Sequence, residues 1–183
     1  MHFDELMARR RMVRHYRCEP IPDAVLQRIL GVVRRAPSAG NCRPHRLALV
    51  TDPADRARLA AIAEDWYSKL GLPPWISQAP AQIVLGVREE SYHERYREPD
   101  KLEADGTQIG WPVPFWWFDA GALLMLLQLA AIDAGLVTGF YSPAAAEDLA
   151  AIAAVAGFAA DVAVAGVITL GFPAAADGAS DQS

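Results

Sequence analysis

At 183 residues and 19.8 kDa, the chain has the size of one domain with a sizeable core. Seventeen Lys and Arg against 22 Asp and Glu leave a formal charge of −5 and a pI near 5.3; general nucleic-acid binding, which favours basic domains, is disfavoured. The composition is 52% hydrophobic with a mean hydropathy of +0.10, and part of that apolar excess is expected to lie between subunits.

Cys18 and Cys42 are too few for a disulfide framework, and two reduced thiols in a cytoplasmic protein are expected. The start, Met1-His2-Phe3-Asp4-Glu5, lacks the basic and apolar regions of a secretory signal. The most apolar segment, Ala120 to Ala131, is too short to span a bilayer, so no membrane partner is expected.

In chain order, Phe3 to Arg11 reads as a short helix with Asp4 and Glu5 complementing its dipole. Val13 to Arg17 alternates and reads as extended. Pro22-Asp23 opens a second helix with Asp23 as its cap, and Val25, Leu26, Ile29 and Leu30 follow at helical spacing. Leu47 to Thr51 is a short strand. Asp52-Pro53 starts a third helix towards Leu70, with Leu59, Ile62, Ala63 and Trp66 on its apolar face. Ala81 to Val87 is a second strand rich in β-branched residues. Arg88 to Asp105 is charged, contains tyrosines, shows little periodicity and reads as a surface excursion. A long apolar helix is expected over Asp119 to Ala134, capped by Asp119 and stopped by Gly135. Val137 to Tyr141 is a third strand, Ala145 to Val155 a helix, and Val162 to Leu170 a fourth strand. This order lacks a regular βαβ alternation and predicts an α+β fold. Residues 1–173 form a single domain in this reading, and 174–183 a disordered tail.

Two stretches carry chemistry. Arg9, Arg10, Arg11, Arg14 and Arg17 fall within nine positions, and a bend after Arg11 lets several guanidiniums converge on one phosphate. One helix later, Ala36-Pro37-Ser38-Ala39-Gly40-Asn41-Cys42-Arg43-Pro44 is a helix-to-strand connection whose Gly40 permits a positive φ. Together they predict a site for an anionic, partly aromatic ligand. Neither G-x-G-x-x-G nor a P-loop lysine motif is present, which argues against a classical dinucleotide or ATP site. His2, His15, His45 and His93 are scattered, so no metal site is expected. The aromatic run Trp111 to Phe118 has two readings: core or dimer packing, or a wall on which Trp116 stacks against a flat substrate. Tyr92, Tyr96 and Lys101 are candidates to close such a site.

Arg10-Arg11-Met12-Val13-Arg14-His15-Tyr16, Pro20-Ile21-Pro22 and Ala36 to Pro44 resemble the N-terminal motifs of the nitroreductase superfamily of FMN enzymes. Asp119-Ala120-Gly121, Ala134 to Thr138 and Leu170-Gly171-Phe172-Pro173 resemble its central helix and later strands. The resemblance implies a mostly antiparallel sheet flanked by helices, an intertwined homodimer, and FMN at the subunit interface. It implies that Arg10, Arg11, Met12 and Arg14 lie at the phosphate and ribityl chain. It also implies that Pro37, Ser38, Ala39 and Asn41 lie against the ring from the other subunit, with Phe140, Tyr141 and Ser142 passing it. Met12 stands where the family has serine, and Arg43 and His45 where it has glutamine and tryptophan.

The implied activity is hydride transfer through flavin N5, with NAD(P)H reducing a nitroaromatic or quinone and no side chain acting as nucleophile. The alternatives are an FMN-dependent oxidase or dehydrogenase that desaturates a metabolite with O2 as acceptor, and a flavin-binding protein without turnover.

Overall fold

The computed structural model describes residues 2–174. The elements are α1 (Phe3–Arg9), β1 (Tyr16–Arg17), α2 (Asp23–Leu30), β2 (His45–Val50), α3 (Pro53–Lys69), β3 (Ala81–Val87), α4 (Glu90–Tyr96), α5 (Phe115–Asp133), β4 (Val137–Tyr141), α6 (Ala146–Ala156) and β5 (Ala163–Pro173). Short 3₁₀ turns occupy Gly31–Arg35, Ala39–Asn41 and Pro99–Lys101. The expected tail lies almost wholly outside the described residues.

All the strand pairings are antiparallel: β5 takes β3 on one side and β4 on the other, β3 also takes β2, and β1 joins the end of β5. Every residue of β3 is buried, as a central strand covered on both faces must be. Ile83, Leu85 and Val87 pack on one face with Leu26 and Ile29 of α2 and Leu123 and Leu127 of α5. Val84 packs on the other with Leu59 and Ala63 of α3 and Ile152 of α6. Gln82 is buried among this second group with its amide satisfied, donating to the Ile76 carbonyl at 3.1 Å and accepting from the Tyr141 hydroxyl at 3.1 Å.

Several expected boundaries shift for physical reasons. The Asp52 side chain caps α3 as expected, accepting from the Ala54 and Asp55 amides at 2.9 and 3.1 Å. Asp23 is the first helical residue rather than the cap, because Pro22 already takes the extended cap conformation. Asp119 does not cap α5, which begins four residues earlier at Phe115; its carboxylate instead accepts a hydrogen bond from the Tyr92 hydroxyl. The lengthened α5 has 19 residues and a mean hydropathy of 1.6, long and apolar enough to cross a membrane. Trp116, Ala120, Leu123, Leu127 and Ala131 are nevertheless buried in the protein, as in a central core helix. The Arg88–Asp105 excursion contains a helix, α4, whose Tyr92 and Tyr96 are buried one turn apart. Trp66 does not join the apolar face of α3 and is 66% exposed.

One junction ties the N-terminal segment to the sheet. The Tyr16 hydroxyl donates to the Val13 carbonyl at 2.6 Å. Its single proton is thereby used, so Thr169 donates to it across 2.7 Å. The Thr169 oxygen in turn accepts the Gly139 amide at 3.1 Å. A side chain at Gly139 would meet Thr169, the Trp75 ring and the Tyr16 hydroxyl within 2.7 Å, so glycine is required for this close approach. Burial pushes the Tyr16 hydroxyl well above the ordinary tyrosine value. Tyr16→Phe is expected to destabilise the protein by about 1–3 kcal/mol, since it leaves a buried acceptor unpaired. The urea midpoint measures this, and an unchanged midpoint would show that the junction contributes nothing.

Candidate cofactor site

The arginine segment leaves α1 and runs extended along β4. Met12 bridges Thr138 in parallel, and the Val13 amide donates to the Thr138 carbonyl at 2.9 Å. Met12 therefore does its work through its backbone. Arg10, Arg11 and Arg14 have no carboxylate partner among the described residues. The Arg14 guanidinium lies over the Trp75 ring at 5.5 Å, and its Nε is buried without a hydrogen-bond partner. A buried charged donor left unpaired is costly unless a ligand completes it.

Arg14 stands beside a cavity of about 390 Å³ between the C-terminal half of α3 and the β4–α6 connection. Ile62, Trp66, Tyr67, Ser142, Pro143 and Asp148 line it. Tyr67 meets Trp75 edge-on at 5.1 Å, and Trp75 meets Tyr141 at 6.0 Å, so the Arg14–Trp75 stack packs behind the Tyr67 and Tyr141 rings that line the cavity. Burial raises the Tyr67 hydroxyl while the Arg14 charge lowers it, which also places the two close together. An aromatic lining with the Tyr67 hydroxyl on it and an unpaired guanidinium nitrogen close behind fits a flat ring bearing an anionic arm, and hence FMN.

Of the expected Phe140–Tyr141–Ser142 trio, only Ser142 offers an exposed side chain here. Tyr141 turns inward to bond Gln82 and contributes its ring to the cavity wall. Phe140 faces the opposite side of β4, packing with the α5 core. Strand alternation alone separates these neighbours. Trp66, Tyr67 and Asp148 were not anticipated in sequence; an aromatic pair near the end of α3 was the available signal.

The second expected half is the turn at Pro37–Asn41. Ser38 Oγ accepts the Arg43 amide at 3.0 Å, and Asn41 Oδ1 accepts Arg43 Nε at 3.1 Å. Gly40 has φ +58°, and a side chain there would lie 3.0 Å from the Tyr96 ring. Its carbonyl accepts Arg95 Nε from α4 at 3.0 Å. Asp100 accepts both Arg95 terminal nitrogens, each at 2.8 Å, and so aims the guanidinium. Pro37 and Asn41 are exposed, while Ser38 and Ala39 are half-buried.

The four expected substrate residues sit behind this turn. Tyr92, Tyr96 and Trp116 are 0%, 9% and 8% exposed, and pack on one another and on Trp111. Lys101 places its ammonium 5.6 Å from the Tyr96 ring centroid. These rings fill the core that supports the turn and present almost no surface for a substrate. Cys42 donates its thiol to the Ala39 carbonyl at 2.7 Å, and burial, reinforced by the Asp119 charge, pushes it up to about 11. Burial holds the His45 imidazole below its ordinary value, opposed by Asp119.

The two halves lie far apart within one chain. β5 and β3 stand between β4 and β2, three interstrand steps of roughly 4.8 Å each. Thr138, beside Met12, is level with Leu170 and Ala81, whereas His45 is level with Val87. Those levels differ by six residues of β3, or about 20 Å at about 3.3 Å per residue, so the halves stand about 25 Å apart.

A model of the Nitroreductase family matches residues 7–172. NADH dehydrogenase of Thermus thermophilus is 27% identical over 179 residues, covering 91% of this chain and 84% of its own. A nitroreductase family protein from Clostridium novyi NT superposes with a TM-score of 0.74 at 18% identity, covering 95% of this chain and 86% of its own. Iodotyrosine deiodinase, solved with FMN and 3-iodo-L-tyrosine, gives 0.72 at 16% identity, covering 98% and 94%. At such identities the structural likeness concerns the fold.

The buried, hydrogen-bonded Cys42 thiol predicts a clear order of alkylation. At pH 8 about one Cys42 in a thousand is thiolate, given a value near 11. Iodoacetamide followed by peptide mass mapping is expected to label exposed Cys18 well before Cys42. Faster labelling of Cys42 would show that the turn opens readily.

Proposed function

The chain belongs to the nitroreductase family and is an FMN-dependent oxidoreductase, and from that premise we propose that it uses NAD(P)H to reduce a flat, electron-poor acceptor of nitroaromatic or quinone type. When bound, FMN supplies the hydride chemistry for which no side chain here is suited. One observation supports the placement above others: the unpaired, buried Nε of Arg14, stacked on Trp75 directly behind the aromatic lining of a cavity.

In this reading Arg10, Arg11 and Arg14 hold the phosphate and ribityl arm, as planar cationic forks suit an oxyanion. Met12 contributes main chain held against Thr138. Tyr67 and Ser142, with the Arg14–Trp75 stack behind Tyr67, border the ring and keep water from it. The Pro37–Asn41 turn comes from a second copy of the chain, because about 25 Å within one protomer exceeds the reach of one flavin mononucleotide. The homodimer also covers apolar surface that a lone chain leaves open. Phe118 is 67% exposed and Met125 38%, two turns apart on α5, and α1 buries none of its residues. Residues 1–173 then act as one FMN-binding domain in the cytoplasm.

Arg14→Ala and Arg10→Ala are each expected to weaken FMN binding by about 1.5–3 kcal/mol, the scale of a hydrogen bond to a charged group. Fluorescence titration of apoprotein with FMN measures this. Wild-type affinity in both variants would contradict the phosphate assignment. Stopped-flow reduction of the FMN-loaded protein by NADH or NADPH tests the donor, and failure with both would refute the reductase reading.

A further inference from the structure

Between Asp23 and Asp52 the sequence holds five arginines and no acidic residue, in a chain whose overall charge is −5. Arg28 is paired with Asp133. Arg46 is occupied by the Arg43 and His45 carbonyls at 3.1 and 2.8 Å and by Ser91 at 3.3 Å. Arg34, Arg35 and Arg43 remain exposed, and no carboxylate pairs with them among the described residues. The nearby acids are already engaged, Glu98 and Asp100 by Arg95 and Asp119 by Tyr92.

Arg43 is also held in an unusual way. Its φ is +51°, a left-handed conformation that an arginine rarely adopts. Three contacts enforce it: Ser38 Oγ takes its amide, Arg46 takes its carbonyl, and Asn41 Oδ1 takes its Nε. The backbone and the first guanidinium nitrogen are thus fixed, and the two terminal nitrogens have no acceptor among the described residues. A fork oriented this way, on an acid-free segment, is preorganised for a planar or tetrahedral oxyanion.

We propose that Arg43, assisted by Arg34 and Arg35, forms an oxyanion-recognising rim at the Ser38–Asn41 turn, and that it binds a phosphate or carboxylate on a molecule exchanging electrons there. The proposal rests on the reading that this turn borders the cofactor. It makes Arg43 a specificity-determining residue that selects a partner bearing the added oxyanion over the analogue lacking it. Two sources share this chemistry: the 2′-phosphate of NADPH, and an acid group on the acceptor.

The test uses FMN-loaded protein and two matched pairs, NADPH with NADH and 4-nitrobenzoate with nitrobenzene, together with calorimetric binding of 2′,5′-ADP and 4-nitrobenzoate. Arg43→Gln is expected to raise KM for the acidic member of one pair about ten-fold relative to its analogue, with the same loss of calorimetric affinity. A shift confined to NADPH and 2′,5′-ADP identifies the donor as the source, and one confined to 4-nitrobenzoate identifies the acceptor. Arg43→Lys keeps the charge without the fork and is expected to recover part of the loss. The double variant Arg34→Gln/Arg35→Gln lies outside the strained turn, so it separates lost recognition from a disturbed backbone; about a two- to three-fold effect is expected, as for rim charges. Unmoved ratios and unmoved affinities for both pairs would overturn the proposal. FMN retention and its loss in Arg14→Ala are read separately, so failure of the cofactor assignment is not confused with failure of the rim.

Discussion

The Tyr16 hydroxyl is the contact through which the N-terminal arm becomes part of the sheet. It donates to Val13 and accepts from Thr169, which also takes the Gly139 amide. Three elements distant in sequence therefore share two oxygens at the centre of the β4–β5 pairing. Without that junction, residues 10–15 would be a short strap joined to β4 by little more than the Val13 amide. With it, Arg14 is carried onto the Trp75 ring and its Nε is buried there. The positive charge at the site is thus placed by backbone geometry and not by ion pairing. That leaves its hydrogen-bonding capacity free for a ligand.

The sheet that places Arg14 also separates it from the Pro37–Asn41 turn. Antiparallel order puts β4 and β2 on opposite sides of β5 and β3, and the strand registers put the two motifs at opposite ends. Each half is nevertheless built to hold its shape alone. The turn is clamped by Arg95 and packed on Tyr96, and the cavity's Tyr67 and Tyr141 are held edge-on against Trp75. A symmetric pair of chains can bring one half of each to the other, making two sites. The exposed phenylalanine and methionine of α5 supply an apolar surface for such pairing.

Much of this was legible in the sequence, and the failures have physical causes. β3 and β4 fall on the expected residues because their ends are marked in sequence: Pro80 precedes β3 and the charged Arg88-Glu89-Glu90 follows it, while Gly135 precedes β4 and Pro143 follows it. The arginine cluster and the Pro-Ser-Gly-Asn turn stood out in sequence by composition, while their placement on opposite sides of the sheet depends on strand order and register. Asp119 misled because a carboxylate at the head of an apolar helix reads as a cap, while its real partner is Tyr92, 27 residues away. Helix α4 was hidden because its buried side consists chiefly of two tyrosines set among charges. Tyr92 and Tyr96 read as part of a lid, and Trp116 as a stacking wall, for the same reason: amphipathic aromatics give no sign of which surface they meet. The cavity itself arises from α3 approaching the β4–α6 connection, a tertiary event that no local pattern encodes.

The central claim is that each cofactor site takes its cationic half from one chain and its turn from another. Subunit exchange between two defective variants tests it most directly. Arg14→Ala damages the first half, and a double substitution, Ser38→Ala with Asn41→Ala, damages the second. After equal mixing and exchange, half the dimers are mixed and each holds one intact site, so about a quarter of wild-type FMN sites should return. Recovery near that level, measured by flavin bound at a concentration neither variant retains alone, is the predicted result. No recovery despite demonstrated exchange would show that each site is built within a single chain.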